Sequence, residues 1–253
     1  MTRMSATIIA QDEERDLRDC IASLQGFCDE ILVVDGGSRD RTREIAASLG
    51  ARVLERTFDD FARQHEFARV EARGEWVLSI DADERASPEL RRAPFGGAAA
   101  YSLPFRNHFR GIWLRHGGFW PDRHVRLFRR EACRYDPGRT VHEKLIVDGP
   151  VGSLDAPILH YTYDSLQDCL LKMERYGEQS ARMLHARGAR ASAWEVALRP
   201  LWRFLRGYVL RLGFLDGAPG AAMAWARAYE AFRRYARLWE LSRFPGSAQD
   251  ALR

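Results

Sequence analysis

At 253 residues, 46% hydrophobic and 29% charged, the chain suffices for one large domain, or one domain with an appendage, and excludes a disordered or fibrous protein. Net charge is +4 but unevenly placed: from Trp194 onward ten Arg face five acidic residues, while everything before carries a net −1. The four Cys have no Cys-x-x-Cys spacing and read as reduced cytosolic thiols, and no window reaches the roughly 18 apolar residues of a membrane span. The apolar stretch ending at Ala10 is too short, and too soon followed by charge, for a signal peptide.

Ala6–Ala10 reads as a buried strand, and Leu17, Cys20, Ile21, Leu24 and Phe27 follow at helical spacing, predicting a helix from Glu13 to Phe27. Ile31–Val34 is a second buried strand, ending in the turn Asp35-Gly36-Gly37-Ser38. A helix from Asp40 to Leu49, a strand at Arg52–Leu54, a helix over Phe61–Ala72 and a strand at Trp76–Ile80 complete an alternation that predicts a mostly parallel sheet with helices on both faces. Residues 100–163 are loop-rich, with strands at Tyr101–Phe105, Val125–Phe128 and Ile158–Tyr161; long loops in a compact domain are usually functional. A helix follows from Ser165 to about Arg187, with capping-box spacing between Ser165 and Asp168. The domain is expected to span residues 1–188, as a nucleotide-sugar half over 1–95 and an acceptor half over 96–188. Residues 189–253 should form a helical, membrane-associating segment.

In that segment Ser192 and Glu195 repeat the capping-box pattern. Leu198, Trp202, Leu205, Val209 and Leu212 line one face, and Pro200 should kink the helix or start its main part. After a break from Gly213 to Gly220, Trp225, Tyr229, Phe232, Ala236 and Trp239 form a second stripe opposite Arg227, Arg234 and Arg237. An aromatic face beside an arginine face suits a helix lying in an anionic membrane interface. A hairpin packed on the domain is the alternative. A nucleic-acid surface is disfavoured, because no nucleic-acid motif accompanies the charge.

Two acidic clusters each follow a buried strand: Asp35, and Asp81-Ala82-Asp83-Glu84. In an open parallel sheet, ligands bind beyond the carboxyl ends of the strands. A carboxylate there accepts from a base imide or ribose hydroxyls, and Asp-x-Asp suits Mg²⁺ or Mn²⁺ held against a diphosphate.

Thr7-Ile8-Ile9-Ala10-Gln11-Asp12-Glu13-Glu14, the run Val33 to Thr42 and the run Trp76 to Glu84 resemble, in order and spacing, the three signatures of glycosyltransferase family 2. The family pattern usually has Asn where this chain has Asp12. Pro121 to Arg130, Thr140-Val141-His142-Glu143, Leu159-His160-Tyr161 and Gly213 to Gly217 are similar to its bacterial lipopolysaccharide-core β-glucosyltransferases. The resemblance implies a GT-A fold, a UDP-sugar donor, a divalent metal and inversion at the anomeric carbon. It places Asp35 on the base, Asp81 on the ribose side and the metal, and Asp83 on the metal, with Gln64 in a donor-contacting stretch.

Inverting transfer needs a base for the acceptor hydroxyl, for which the candidates are Glu143 and then Asp122. His142 is a candidate third metal ligand. Arg126 and Arg129 are expected on one strand face as a pyrophosphate clamp. The reading is a cytoplasmic enzyme, peripheral on the inner face of the cytoplasmic membrane. It would move glucose from UDP-glucose to a lipopolysaccharide inner-core or similar lipid-linked acceptor. The rivals are a nucleotidyltransferase, which should carry a Gly-rich phosphate loop where Gln11-Asp12-Glu13-Glu14 stands, and a non-catalytic interaction module.

Overall fold

The computed structural model describes residues 3–136 and 145–244. They fall into two compact units, Met1–Arg106 with Asp122–His160, and Asn107–Pro121 with Tyr161–Arg253.

In the first unit, strands β1 (Met4–Ala10), β2 (Glu30–Asp35), β3 (Arg52–Glu55) and β4 (Trp76–Ser79) alternate with helices α1 (Leu17–Leu24), α2 (Thr42–Ser48) and α3 (Phe61–Glu71). The four strands are parallel in the order β3-β2-β1-β4, with Ile8 beside Val33 and Ser5 beside Val77. Their near-continuous apolar runs are what a strand covered on both faces requires. The expected α/β architecture is therefore present.

Helix α1 begins four residues later than its periodicity predicts. The backbone amides of Glu13 and Glu14 donate instead to Thr42 Oγ1 at 2.8 Å and Asp40 Oδ2 at 3.0 Å. Those bonds tie the loop before α1 to the loop before α2. Asp12 sits between them at φ 58°, donating to Ser38 Oγ and accepting from the Arg39 amide at 2.7 Å. Asn and Asp tolerate this left-handed backbone, so a residue-12 Asp in place of Asn preserves both the turn and the acceptor.

The sheet continues through short strand β5 (Glu84–Ala86), β6 (Ala100–Phe109), its hairpin partner β7 (Ile112–Trp113), and β8 (Asp122–Arg129). Then come β9 (Cys133–Tyr135) with β10 (Leu145–Val147), β11 (Val151–Ser153) and β12 (Ile158–Tyr163). Among the described residues the main sheet runs β3-β2-β1-β4-β8-β6-β12-β5, with β11 parallel to β6. Strand β8 is antiparallel to β4 and β6, and β12 is antiparallel to β5, so the second half is mixed. Trp76, Leu78, Ile80, Leu103 and Leu127 are fully buried at its centre. Each such side chain contributes about 1.5–3 kcal/mol by leaving water.

The second unit is built on α4 (Leu166–Ala186), α5 (Ala193–Leu205) and α6 (Gly217–Arg243). Ser165 caps α4 by accepting from the Asp168 amide, and Ser192 and Glu195 form the complete capping box of α5. Helix α5 runs through Pro200 without ending, and a widened turn follows at Arg206–Leu210.

This division corrects the expected boundary at residue 188, because α4 belongs with the tail helices. Gly177 on α4 lets α6 come close: a Cβ there would lie 2.7 Å from the Cβ of Arg233. Arg237–Glu178 at 3.1 Å and Arg233–Glu174 at 3.2 Å flank the contact. The face that α6 buries is also not its aromatic stripe. Ala224, Ala228 and Ala231 are buried, while Trp225 is 64% and Phe232 45% exposed. Small side chains allow helix axes to approach, so they win the interior and leave the rings outside.

Candidate active site

The register that sets Ala10 beside Asp35 and Thr7 beside Ser79 brings the carboxyl ends of β1, β2 and β4 to one edge. Asp35, the last residue of β2, is buried, and its Oδ2 accepts from the amides of Gly37 and Ser38, both at 3.0 Å. The Arg43 guanidinium is 3.9 Å from the same oxygen. Among the described residues Oδ1 is buried without a hydrogen-bond partner. A buried carboxylate oxygen in that state is an acceptor placed for a donor from a ligand.

Beyond β4 the chain makes a tight turn, in which the Asp81 amide donates to Glu84 Oε2 at 2.9 Å and the Glu84 amide to the Asp81 carbonyl. Arg126, from β8, bridges both carboxylates at 2.7 Å to Asp81 and 2.9 Å to Glu84, and lies 5.4 Å from the centre of the Phe105 ring. Burial pushes the Glu84 carboxyl up to about 8 even though Arg126 opposes it. Burial acts the same way on Asp81, but there the Arg126 and His65 charges outweigh it and hold the group well below the carboxylate range. Asp81 is thus the ionised partner of Arg126.

Asp83 points to another neighbour. Its Oδ2 is 3.3 Å from His160 Nε2. Asp83, Glu84 and His160 offer ligand atoms within 4.8 Å of one another. Register makes this cluster: antiparallel pairing of β12 with β5 sets His160 opposite Glu84. Burial disfavours the charged imidazole, but the Asp83 hydrogen bond and the surrounding carboxylates outweigh it and raise the His160 pKa. The edge of Phe105 separates His160 from His124, with ring centres at 5.8 and 5.1 Å. Asp122, His124 and Arg126 all lie on β8, which has a bulge between Val125 and Leu127, and His124 Nε2 is 3.1 Å from Asp122 Oδ1.

The cluster therefore contains Asp81, Asp83 and Arg126 of the expected residues, while Asp122 pairs with His124 on β8. Arg129 does not join the cluster. Set opposite Trp76 at the start of β4, at the far end from the acidic turn, it pairs with Glu75, donates to the Gly96 carbonyl at 3.2 Å and stacks 4.8 Å over Trp76. The two-arginine clamp is thereby corrected to one arginine. Gln64 is buried with its amide bonded to Arg56 through Oε1 at 3.2 Å and Nε2 at 2.9 Å. Beside it His65 stacks on Tyr135 at 5.0 Å. His142 and Glu143 lie outside the described residues.

His160, Glu84 and Phe105 are the members that sequence reasoning did not assign. A histidine inside the aromatic strand Ile158–Tyr163 and a third acid directly after Asp-x-Asp were the available signals.

Residues 5–94 match the family model "Glycosyl transferase family 2". The lipopolysaccharide core biosynthesis glycosyltransferase LpsC of Rhizobium meliloti is 31% identical, over 92% of this chain and 93% of that one. An uncharacterized glycosyltransferase of Rickettsia typhi is 29% identical, over 96% of this chain and 88% of that one. Among solved structures, glucosyl-3-phosphoglycerate synthase from Mycobacterium tuberculosis, crystallised with Mn²⁺, UDP and glucosyl-3-phosphoglycerate, is 20% identical. The match covers 52% of this chain and 58% of that one, at TM-score 0.38. With LpsC matched over nearly its whole length, Asp35 ending β2, and Asp81 and Asp83 in the turn after β4, the chain belongs to glycosyltransferase family 2.

Proposed function

We propose that this glycosyltransferase transfers glucose from UDP-glucose, with inversion, to a lipopolysaccharide inner-core or similar lipid-linked acceptor. The observation that carries the donor-site reading is Asp83 against His160, beside an Asp81 and Glu84 bridged by Arg126. The Asp83 carboxylate is the hard oxygen ligand that Mn²⁺ or Mg²⁺ takes, and the His160 imidazole beside it favours Mn²⁺ over Mg²⁺, so Asp83 and His160 would hold the ion, which would supply charge neutralisation of the diphosphate. Binding it requires His160 to give up the proton it shares with Asp83. Asp35 Oδ1 would accept from the base, Asp81 would face the ribose side, and Arg126 would fix the Asp81 and Glu84 carboxylates. Glu143, or Asp122 after it, would take the proton of the attacking hydroxyl.

The donor reading is tested by a thermal-shift panel of nucleoside diphosphate sugars with and without Mn²⁺. UDP-glucose with Mn²⁺ should raise the Tm most, because a ligand that binds only the folded state stabilises it by mass action. A panel in which no nucleotide sugar shifts the Tm sinks the reading. Asp35→Asn keeps the shape of the turn but offers a weaker acceptor. It should weaken UDP binding by roughly 10- to 100-fold, the range of a hydrogen bond to a charged group. Unchanged UDP affinity would remove Asp35 from the nucleotide pocket.

A peripheral place on the inner membrane face is supported by the surface of the second unit. No residue of α5 is buried; Trp194 is 75%, Trp202 55% and Leu198 54% exposed. No helix among the described residues is long and apolar enough to cross a membrane. Such a face beside arginines fits a helix lying in an anionic interface. Part of the arginine face is engaged within the unit, Arg237 by Glu178 and Arg234 by Glu230, so the apolar side offers the cleaner test. The full chain should sediment with anionic vesicles, less so in high salt, and Trp194→Glu with Trp202→Glu should abolish sedimentation without lowering the Tm. Equal sedimentation of the variant would assign the stripe another role.

A further inference from the structure

The second unit holds a cleft of about 380 Å³, lined by Arg115, His116, Gly118, Trp120, Pro121 and Arg211. It is built rather than incidental. The buried carboxylate of Asp216 accepts from the His116 backbone amide at 2.8 Å and contacts its Nδ1 at 2.7 Å. That fixes the ring and leaves Nε2 as the nitrogen available to a ligand. The Gly117 amide donates to the Arg211 carbonyl at 2.8 Å. Gly118, at φ 81°, carries the Arg211 guanidinium directly on its backbone, where any Cβ would collide with it.

Arg115 lies 4.5 Å over the Trp113 ring, which meets Trp120 edge-on at 5.3 Å. The cleft thus joins an indole wall to two guanidinium forks and an oriented imidazole. Among the described residues no carboxylate pairs with Arg115 or Arg211; Asp216 is engaged by His116.

We propose that this cleft binds a sugar bearing a phosphate monoester. The forks of Arg115 and Arg211 match phosphate oxygens, His116 Nε2 supplies a further contact, and Trp120 offers its ring to the apolar face of a pyranose. The binding does not depend on the identity of the donor sugar. It adds to the family reading a subsite for a charged group on a glycan.

The test is titration calorimetry on the full chain, saturated with UDP and Mn²⁺ so that the nucleotide site is filled. The probes are glucose 6-phosphate, glucose, orthophosphate and phosphatidic-acid vesicles. Glucose 6-phosphate should bind about tenfold or more tighter than orthophosphate, and glucose should give no signal. Arg115→Gln and Arg211→Gln should each weaken it roughly 10- to 100-fold, the lysine replacements less. Both arginines are exposed, so UDP affinity in the variants should be unchanged. Equal affinity for orthophosphate, binding to the vesicles alone, or full affinity in the double glutamine variant would each overturn the proposal.

Discussion

Asp83→Ala is expected to reduce sugar transfer by roughly 10²–10³-fold or more and to remove the metal-dependent part of donor binding. Asp83 is the carboxylate of the acidic turn that faces His160 and not Arg126. Its loss leaves the imidazole without its anionic partner and the donor diphosphate without an anchored counter-charge. The fold should survive, because Arg126 still bridges Asp81 and Glu84 and because the Asp83 side chain is 25% exposed. Calorimetry of UDP with and without Mn²⁺ separates the two effects: Mn²⁺ should tighten UDP for the native chain and leave the variant unchanged. His160→Asn should reproduce the loss in weaker form. Near-native turnover of Asp83→Ala in Mn²⁺ would place the metal on other residues.

Glu143→Gln is expected to lower kcat by about 10²–10⁴-fold while UDP affinity stays unchanged. Gln keeps the size and hydrogen-bonding capacity of the side chain but takes no proton at neutral pH. Asp122→Asn is the companion measurement. Asp122 opens β8, the strand that carries Arg126, and contacts His124 at 3.1 Å. If Asp122→Asn carries the large loss and Glu143→Gln the small one, the base is Asp122. Small losses in both remove both from the proton transfer. Steady-state rates at saturating donor, with UDP binding measured in parallel, distinguish a lost base from a lost binding site.

The parallel half was legible from sequence because its signals are local. Each of β1, β2 and β4 is a short apolar run, each helix between them carries its own periodic face, and Asp35 and Asp81 are the first acids met after the apolar runs Ile31–Val34 and Trp76–Ile80. The capping patterns Ser165–Asp168 and Ser192–Glu195 span four residues each, and they predicted the starts of α4 and α5 for the same reason.

What sequence periodicity did not supply is the pairing of distant segments. Setting β12 against β5 decides that His160 faces the acidic turn, and nothing near residue 160 announces that partner. Register along β4 decided that Arg126 reaches Asp81 while Arg129 reaches Glu75, since Arg129 pairs with Trp76 at the start of β4 and Arg126 lies three residues on, toward its carboxyl end. The late start of α1 goes with the left-handed backbone of Asp12 and with the ties of the Glu13 and Glu14 amides to Thr42 and Asp40, contacts between segments distant in sequence. In the helical unit, composition placed aromatics and arginines on the same helices. Close approach through Gly177 and the alanines of α6 then chose which face is buried, a choice that depends on the partner helix and not on the stripe itself. Local patterns therefore determined which elements form and which acids end the strands. Register and helix contact, which are nonlocal, decided which side chains meet.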